Sequence, residues 1–354
     1  MEISHKNNRS VLSLLFKIGI PLVISVGLCW LLFRDFDFAD MWRIITTECD
    51  FRWIIGGLVI ATMSHVFRAM RWRMQLQALG IDVPLFSVVL SIFGTYSVNL
   101  VFPRLGELWR TGYIARRHNA PFTEVFGSMV ADRTADTITV ALLTLLSFAL
   151  SSSVILAYFN QNEGLGKDIL ALATDPGMWA GIALVFVLGW RIAHTRRGKA
   201  VIARLRGIFK GLWDGFSVVT TMPGRGKWLL LTIAIWACYY GQLVIAMEAF
   251  DFTSGVQHNH GLQATLVAFV LSSISMGVPS NGGIGPWQWA IIFALGIYGV
   301  DSASASAFAN LVLGCNTLLL IALGLFTFAC IALDRHDNKQ SVDNNKQEIE
   351  ECPK

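Results

Sequence analysis

The sequence predicts an all-α protein that crosses a membrane several times, and three observations indicate this fold class. The chain is 54% hydrophobic and only 15% charged, whereas about a quarter of the residues of a soluble domain are charged. Its apolar residues occur in runs of about 20, the helical length that crosses a hydrocarbon core. Arginine and lysine are concentrated in some segments between these runs and scarce in others, as in the cytoplasmic and external loops of membrane proteins.

Six apolar runs are long enough to be full transmembrane helices: 11–33, 53–70, 125–150, 177–193, 227–250 and 303–333. The first follows Lys6 and Arg9 and resembles a secretory signal. We interpret it as a retained span because it is long and no small-residue cleavage site follows it. Two further runs, 84–102 and 262–300, are interrupted by proline and glycine.

The basic residues decide how the interrupted runs lie in the membrane. If 84–102 crossed it completely, the arginines of 104–117 and the nine basic residues of 191–227 would lie outside, against the positive-inside rule. If each interrupted run enters and leaves on one side, every basic segment lies inside. We therefore predict about six full spans and two re-entrant helix pairs that enter from opposite faces, with both termini in the cytoplasm.

The order of these elements repeats along the chain. Trp53 precedes Pro103 by 50 positions, Trp228 precedes Pro279 by 51, and each proline opens a P-x-x-G sequence. Equal order with opposite orientation is typical of an inverted repeat, in which broken helices form a site near the midplane. The alternative is a chance similarity between two Pro-kinked segments.

The predicted organisation is a single transmembrane domain, 1–333, with halves at about 53–150 and 227–333. A basic amphipathic connector, 194–226, is predicted to lie on the inner leaflet or to be a plain linker. The polar tail, 334–354, is predicted to be disordered and cytoplasmic.

Ionisable residues within the apolar runs indicate the functional site, because a charge at membrane depth costs several kcal/mol unless it is paired or hydrated. The polar residues of the first break and of the following run are Asn99, Arg104, Glu107, Arg110, Asp132, Arg133 and Asp136. One interpretation is an ion-pair network that only holds the helices together. The other is that Arg104, Arg110 and Arg133 exceed the needs of pairing and bind an anionic group such as a phosphate.

The second break favours the anionic ligand. Its glycines permit a sharp turn with free N–H groups, and Pro286 suits the first position of the next helix, whose N-terminus attracts anions. The candidate ligand-binding residues here are Ser280, Asn281, Gly282, Gly283 and Gln288. The alternative is a tight turn in which glycine serves packing alone. The histidines and cysteines show no metal-ligand spacing, so we expect no metal, no cofactor and no nucleic acid partner.

Four ordered motifs carry a resemblance to a known family: Arg68-x-x-Arg71-Trp72, Pro103-Arg104-x-Gly106-Glu107-x-x-Arg110, Asp132-Arg133-x-x-Asp136 and Pro279-x-x-Gly282-Gly283-x-Gly285. Over about 10–333 the chain resembles the flippase-like membrane region of the lysylphosphatidylglycerol synthases and its stand-alone relatives. This resemblance implies an inner-membrane protein that moves lipids between leaflets, with the headgroup phosphate held by the arginines and the glycine break.

Two features depart from that family. Gln288 stands where the family commonly has glutamate, which puts any role of a second carboxylate in doubt. The synthases also carry a cytoplasmic aminoacyl-transfer domain, whereas this chain ends 21 residues after its last predicted span. We therefore expect no lysyl transfer and no enzymatic activity.

The expected function is transport of an anionic phospholipid or lipid-linked precursor between leaflets of the inner membrane, passive or driven by an ion gradient. Asp132, Asp136 and Glu107 are candidates for proton coupling. The alternative is a membrane enzyme or accessory subunit that acts on lipid-linked glycans. The expected partners are membrane lipids with an anionic, phosphate-bearing headgroup, and a second copy of the chain and a lipid-modifying enzyme are left open.

Overall fold

The structure, a computed structural model, describes residues 38–161, 176, 221–278 and 280–350. Within these ranges the regular secondary structure is entirely helical, which confirms the predicted fold class. The ten helices are α1 Phe38–Glu48, α2 Phe51–Ala78, α3 Leu85–Val101, α4 Leu105–Arg117, α5 Phe122–Gln161, α6 Arg225–Met247, α7 Asp251–His260, α8 Leu262–Ser275, α9 Pro286–Ile297 and α10 Ser302–Glu350.

Four of these helices, α2, α5, α6 and α10, are long and apolar enough to cross a membrane. They correspond to the spans that the sequence predicts at 53–70, 125–150, 227–250 and 303–333. The spans predicted at 11–33 and 177–193, and most of the basic connector, lie outside the described residues.

Four short helices, three of them apolar and the fourth, α4, rich in charge, form two antiparallel hairpins. α3, α4, α8 and α9 have 17, 13, 14 and 12 residues, or about 18–25 Å of helix against a core of about 30 Å. Val83 and Val88, near the start of α3, share an apolar cluster with Ile114 and Ala115 at the end of α4. His260 and Tyr298, which flank the α8–α9 pair, have ring centroids 5.0 Å apart. Each hairpin therefore begins and ends on one side of the bundle.

The turn of each hairpin depends on left-handed backbone. Arg104, just before α4, has a φ of 62°, and Gly282, Gly283 and Gly285 have φ values of 62°, 88° and 92°. Glycine adopts this region without steric penalty, whereas arginine does so at a cost. The first break is short and spans residues 102–104, since Asn99 belongs to α3 and Gly106 to α4.

The helix pairings of the two halves are reciprocal. α2 packs along α6, α3 of the first half packs on α10 of the second, and α8 of the second packs on α5 of the first. Each half thus has the order long, short, short, long, with α7 inserted after α6. This is the pattern of contacts that a twofold relation between the halves produces.

Three segments at the ends of the apolar runs are helical. Residues 251–260 form α7, which has Asp251 in its first turn, where a helix favours an acid, and Gly261 as its C-terminal cap. Residues 334–350 continue α10 to Glu350. Arg68 and Arg71, at the end of the apolar run 53–70, lie buried inside α2.

Candidate anion-binding site

A buried ion cluster joins α2 to α5. Arg71 Nε and Nη2 donate to Asp132 Oδ1 at 2.9 and 2.6 Å, and Nη2 also donates to Asp136 Oδ1 at 2.9 Å. Arg68 Nη1 donates to Asp136 Oδ2 at 2.6 Å and to Asp132 Oδ2 at 3.2 Å. The arginines are three residues apart and the aspartates four, so each pair lies on one face of its helix. The two carboxylates are thereby matched by two guanidinium groups, as burial of charge requires.

The second half supplies hydroxyl groups to this cluster. Arg71 Nη1 donates to Thr232 Oγ1 at 3.2 Å, and Arg68 Nε donates to the Tyr239 hydroxyl at 3.3 Å, both on α6. The Tyr239 hydroxyl lies 3.3 Å from that of Tyr96 on α3. The charges therefore lie where the two halves meet.

The Glu107–Arg133 pair forms the open edge of the cluster. Glu107 Oε1 lies 3.0 Å from Arg133 Nη2, and these side chains are 20% and 35% exposed, whereas those of Asp132 and Arg71 are fully buried. Asn99 Nδ2 donates to Glu107 Oε2 at 3.3 Å, and Asn99 Oδ1 accepts the Gly106 N–H at 2.8 Å. Asn99 thus holds both the start of α4 and its acidic side chain.

Arg110 is a buried cation whose hydrogen-bonding groups are unused. Its side chain is fully buried, and none of its three guanidinium nitrogens has a hydrogen-bond partner among the described residues. Asp132 Oδ2 is 3.6 Å from its Nη2, and its Cζ lies 4.5 Å from the centroid of the Trp72 ring. An unpaired buried donor is unfavourable unless a ligand or water satisfies it.

We define the arginine cluster as Arg68, Arg71, Arg110, Arg133, Asp132, Asp136 and Glu107. Its four arginines and three carboxylates leave a formal excess of one positive charge. A network that served pairing alone would be expected to balance. The excess coincides with the unused guanidinium group of Arg110, and a bound anion would satisfy both.

The two hairpin turns contact each other through residues that lie outside the arginine cluster. Arg104, an exposed residue, donates from Nη2 to the Gly277 carbonyl oxygen just after α8. Gly282 lies against Leu100 so closely that a β-carbon there would be 2.5 Å from Leu100 Cδ2. Arg104 therefore links the hairpins, and among the described residues no ion pair joins it to the arginine cluster.

The polar residues of the second break are not hydrogen-bonded to the arginine cluster in the described part of the chain. Gln288 Oε1 accepts the Gly285 N–H at 2.9 Å, which caps α9, and Gln288 Nε2 donates to Asn310 Oδ1. Asn281 Oδ1 is buried without a hydrogen-bond partner among the described residues. Within the same ranges no hydrogen bond connects Ser280, Asn281 or Gln288 to the arginine cluster. Their role in ligand binding, like that of Gly282 and Gly283, remains a prediction.

These features define a polytopic α-helical membrane protein with two short hairpins and a buried, positively charged site where its halves meet. The family model for the lysylphosphatidylglycerol synthase TM region matches residues 18–324. The chain belongs to this family, which is linked to lipid modification or transport. No curated protein matches the chain.

Reasoning from charge alone missed the main partners of the two aspartates. Arg68 lies near the end of the apolar run 53–70 and Arg71 just after it, and charge alone assigned both to a basic segment at the membrane edge. Their three-residue spacing on a helix, opposite two acids spaced four apart, could have indicated the pairing. Tyr96, Tyr239 and Thr232 carry no such signal, since isolated hydroxyl groups are common in membrane helices.

Proposed function

We propose that this protein moves an anionic phospholipid or lipid-linked precursor between the leaflets of the inner membrane, with the arginine cluster as the phosphate-binding site. The observation that carries this proposal is Arg110, a fully buried cation without a hydrogen-bond partner among the described residues. Guanidinium groups match phosphate oxygens in geometry and charge. The family's link to lipids supports a lipid phosphate over a soluble anion.

The depth of the cluster supports a transport site rather than a surface site. Arg71 lies seven residues before the end of α2, and Asp132 lies ten residues after the start of α5. At 1.5 Å per residue these positions are about 10–15 Å from the helix ends. A phosphate bound there would lie inside the helix bundle and away from the helix ends, which is costly unless cations receive it.

The open edge at Glu107 and Arg133 would admit the headgroup, and the touching hairpins at Arg104 and Gly282 would separate the two faces of the membrane. Relative movement of the halves would then change access to the cluster. The proposal includes no enzymatic activity. Its partners are lipids with anionic headgroups.

The proposed topology has both termini in the cytoplasm and both hairpins re-entrant. Asp82 and Asn119 are exposed residues that flank the α3–α4 hairpin. Single cysteines at these positions, in a chain without its own cysteines, should react with an impermeant reagent from the same, cytoplasmic, side. Labelling from opposite sides would exclude the re-entrant arrangement.

The transport proposal is tested by reconstituting the purified chain in liposomes with fluorescent phosphatidylglycerol or phosphatidylcholine and measuring how fast external dithionite quenches the inner leaflet. We expect faster exchange of phosphatidylglycerol than in empty liposomes. Arg133→Gln should slow it by about threefold to tenfold, the loss expected for a charge contact to a side chain that is 35% exposed. The control Arg52→Gln removes an arginine that is 90% exposed and should leave the rate unchanged.

Two results would overturn the proposal. One is exchange no faster than in empty liposomes for phosphatidylglycerol, phosphatidic acid and a polyprenyl pyrophosphate alike. The other is equal slowing by Arg133→Gln and Arg52→Gln, because a binding site must distinguish an arginine at its edge from an arginine on the outer surface.

A further inference from the structure

We infer that Glu107 is a built-in competitor of the ligand: its carboxylate pairs with Arg133, and the phosphate must displace it. This inference rests on the proposed function and adds to it a residue that sets affinity and permits release. It follows from the positions of Glu107, Arg133, Asn99 and Arg110.

Glu107 has the surroundings of a bound anion. It lies in the first turn of α4, where the helix dipole favours negative charge, and its carboxylate contacts Arg133 at 3.0 Å and the Asn99 amide at 3.3 Å. Arg110 follows it by three residues on the same helix, and its guanidinium nitrogens have no hydrogen-bond partner in the described part of the chain. A cation, an amide donor and a helix N-terminus thus converge on a carboxylate of the chain itself.

The other carboxylates of the cluster cannot serve this purpose. Asp132 and Asp136 are each bound by both Arg68 and Arg71, and their side chains are at most 13% exposed. Glu107 has one arginine within ion-pair distance, and its pair is the most exposed of the cluster. An arriving anion therefore meets the Glu107–Arg133 contact first and can exchange with it without breaking the buried pairs.

The exchange explains how a strongly cationic site could release its ligand. Arg110 and Arg133, the two arginines not matched by the buried aspartates, would hold a phosphate tightly at low dielectric. A resident carboxylate lowers the apparent affinity because only the fraction of molecules with a free Arg133 can bind. When Glu107 returns to Arg133, it replaces the contact that the departing phosphate gives up.

The test measures binding of short-chain phosphatidylglycerol, with short-chain diacylglycerol as the neutral probe, to the purified full chain in detergent. Glu107→Gln should bind phosphatidylglycerol about threefold to tenfold more tightly than wild type, the range expected for removing one partly exposed ionic competitor. Glu107→Asp keeps the charge but withdraws it from Arg133, and it should also bind more tightly. Asp82→Asn removes an exposed acid, 88% accessible, and should not change binding.

A double-mutant cycle separates competition for Arg133 from a general change in potential. In an Arg133→Gln background, Glu107→Gln should give no gain in affinity, because the contested cation is gone. Persistence of the full gain in that background would overturn the inference. So would equal or weaker binding by both Glu107 variants, with the unliganded Tm confirming that they are folded.

Failure of the inference differs from failure of the proposed function. If wild type prefers phosphatidylglycerol over diacylglycerol but the Glu107 variants bind no more tightly, Glu107 does not compete with the ligand, and the proposed phosphate site is retained. If wild type shows no preference between the two probes, the phosphate site itself is wrong, and the inference falls with it.

Discussion

Arg71 of α2 and Asp132 of α5 are joined by two hydrogen bonds from one guanidinium group, and neither side chain is exposed. Asp132 also forms an ion pair with Arg68, and Arg71 also forms one with Asp136. The pair therefore links two of the long helices through charges that have no access to water. Its members are expected to be structural, in contrast to Arg110 and Arg133.

Arg71→Met should strongly destabilise the protein. Removing one partner of a buried pair leaves the other charge uncompensated, at a cost of about 3–5 kcal/mol. Unfolding in mixed micelles measures the effect. Arg52→Met breaks a surface pair with Asp50 and should leave the unfolding curve unchanged. Equal stability of the two variants would contradict a structural role of Arg71.

Arg110→Met should separate stability from function. Methionine keeps an apolar contact with the Trp72 ring, and the loss of a positive charge that lacks a hydrogen-bond partner among the described residues makes the cluster neutral. The midpoint of unfolding should equal or exceed that of wild type, whereas phosphatidylglycerol exchange should fall to the level of empty liposomes. A variant as unstable as Arg71→Met would show that Arg110 serves the fold.

Gly106→Ala and Gly112→Ala should have opposite effects on the same helix. A β-carbon at Gly106 would overlap the Thr95 carbonyl oxygen of α3, and at Gly112 it would meet no described atom within 4 Å. We expect Gly106→Ala to destabilise by about 1–3 kcal/mol through overpacking. Gly112→Ala should stabilise by about 0.5–1 kcal/mol through helix propensity. Unfolding in mixed micelles measures both, and the same sign for both would exclude close packing of α3 on α4.

Asp301 should make stability depend on pH. Its Oδ1 accepts the N–H groups of Ser304 and Ala303 at 3.0 Å, and these bonds at the start of α10 lower the pKa of Asp301. The stabilisation, about 1 kcal/mol for such a cap, is present above the unfolded pKa of about 3.9 and is lost as the pH falls through the folded value.

Asp301→Asn provides the control for that pH dependence. Asparagine retains a capping oxygen but does not titrate in this range. At pH 6 wild type should therefore have the higher unfolding midpoint. This advantage over Asp301→Asn should decrease as the pH is lowered from 6 toward about 3. A difference that stays constant over this interval would show that the Asp301 carboxylate does not stabilise α10.

The sequence allowed the long helices, the two hairpins and most cluster members to be predicted, because apolar length and the cost of buried charge are local properties. The spacing of Asp132 and Asp136 placed both acids on one face of a helix. Their partners could not be predicted in the same way, since hydropathy alone ends the second span before Arg71, whereas the helix continues to Ala78.

The second break shows a different limit of sequence reasoning. Its glycines indicated a sharp turn, which the structure makes with left-handed backbone, and Pro286 indicated the start of the following helix, which begins there. They could not indicate where Gln288 would find its partners, the Gly285 N–H and Asn310, because these depend on how α9 meets α10. Contacts between helices distant in the sequence leave no signature in one chain's composition.

The reciprocal packing of α3 on α10 and of α8 on α5 bears on how the protein is made. During synthesis the first hairpin emerges long before α10, the helix against which it finally lies. Until then part of its surface must contact lipid or the insertion machinery. The first hairpin therefore reaches its final environment only after α10 has been inserted.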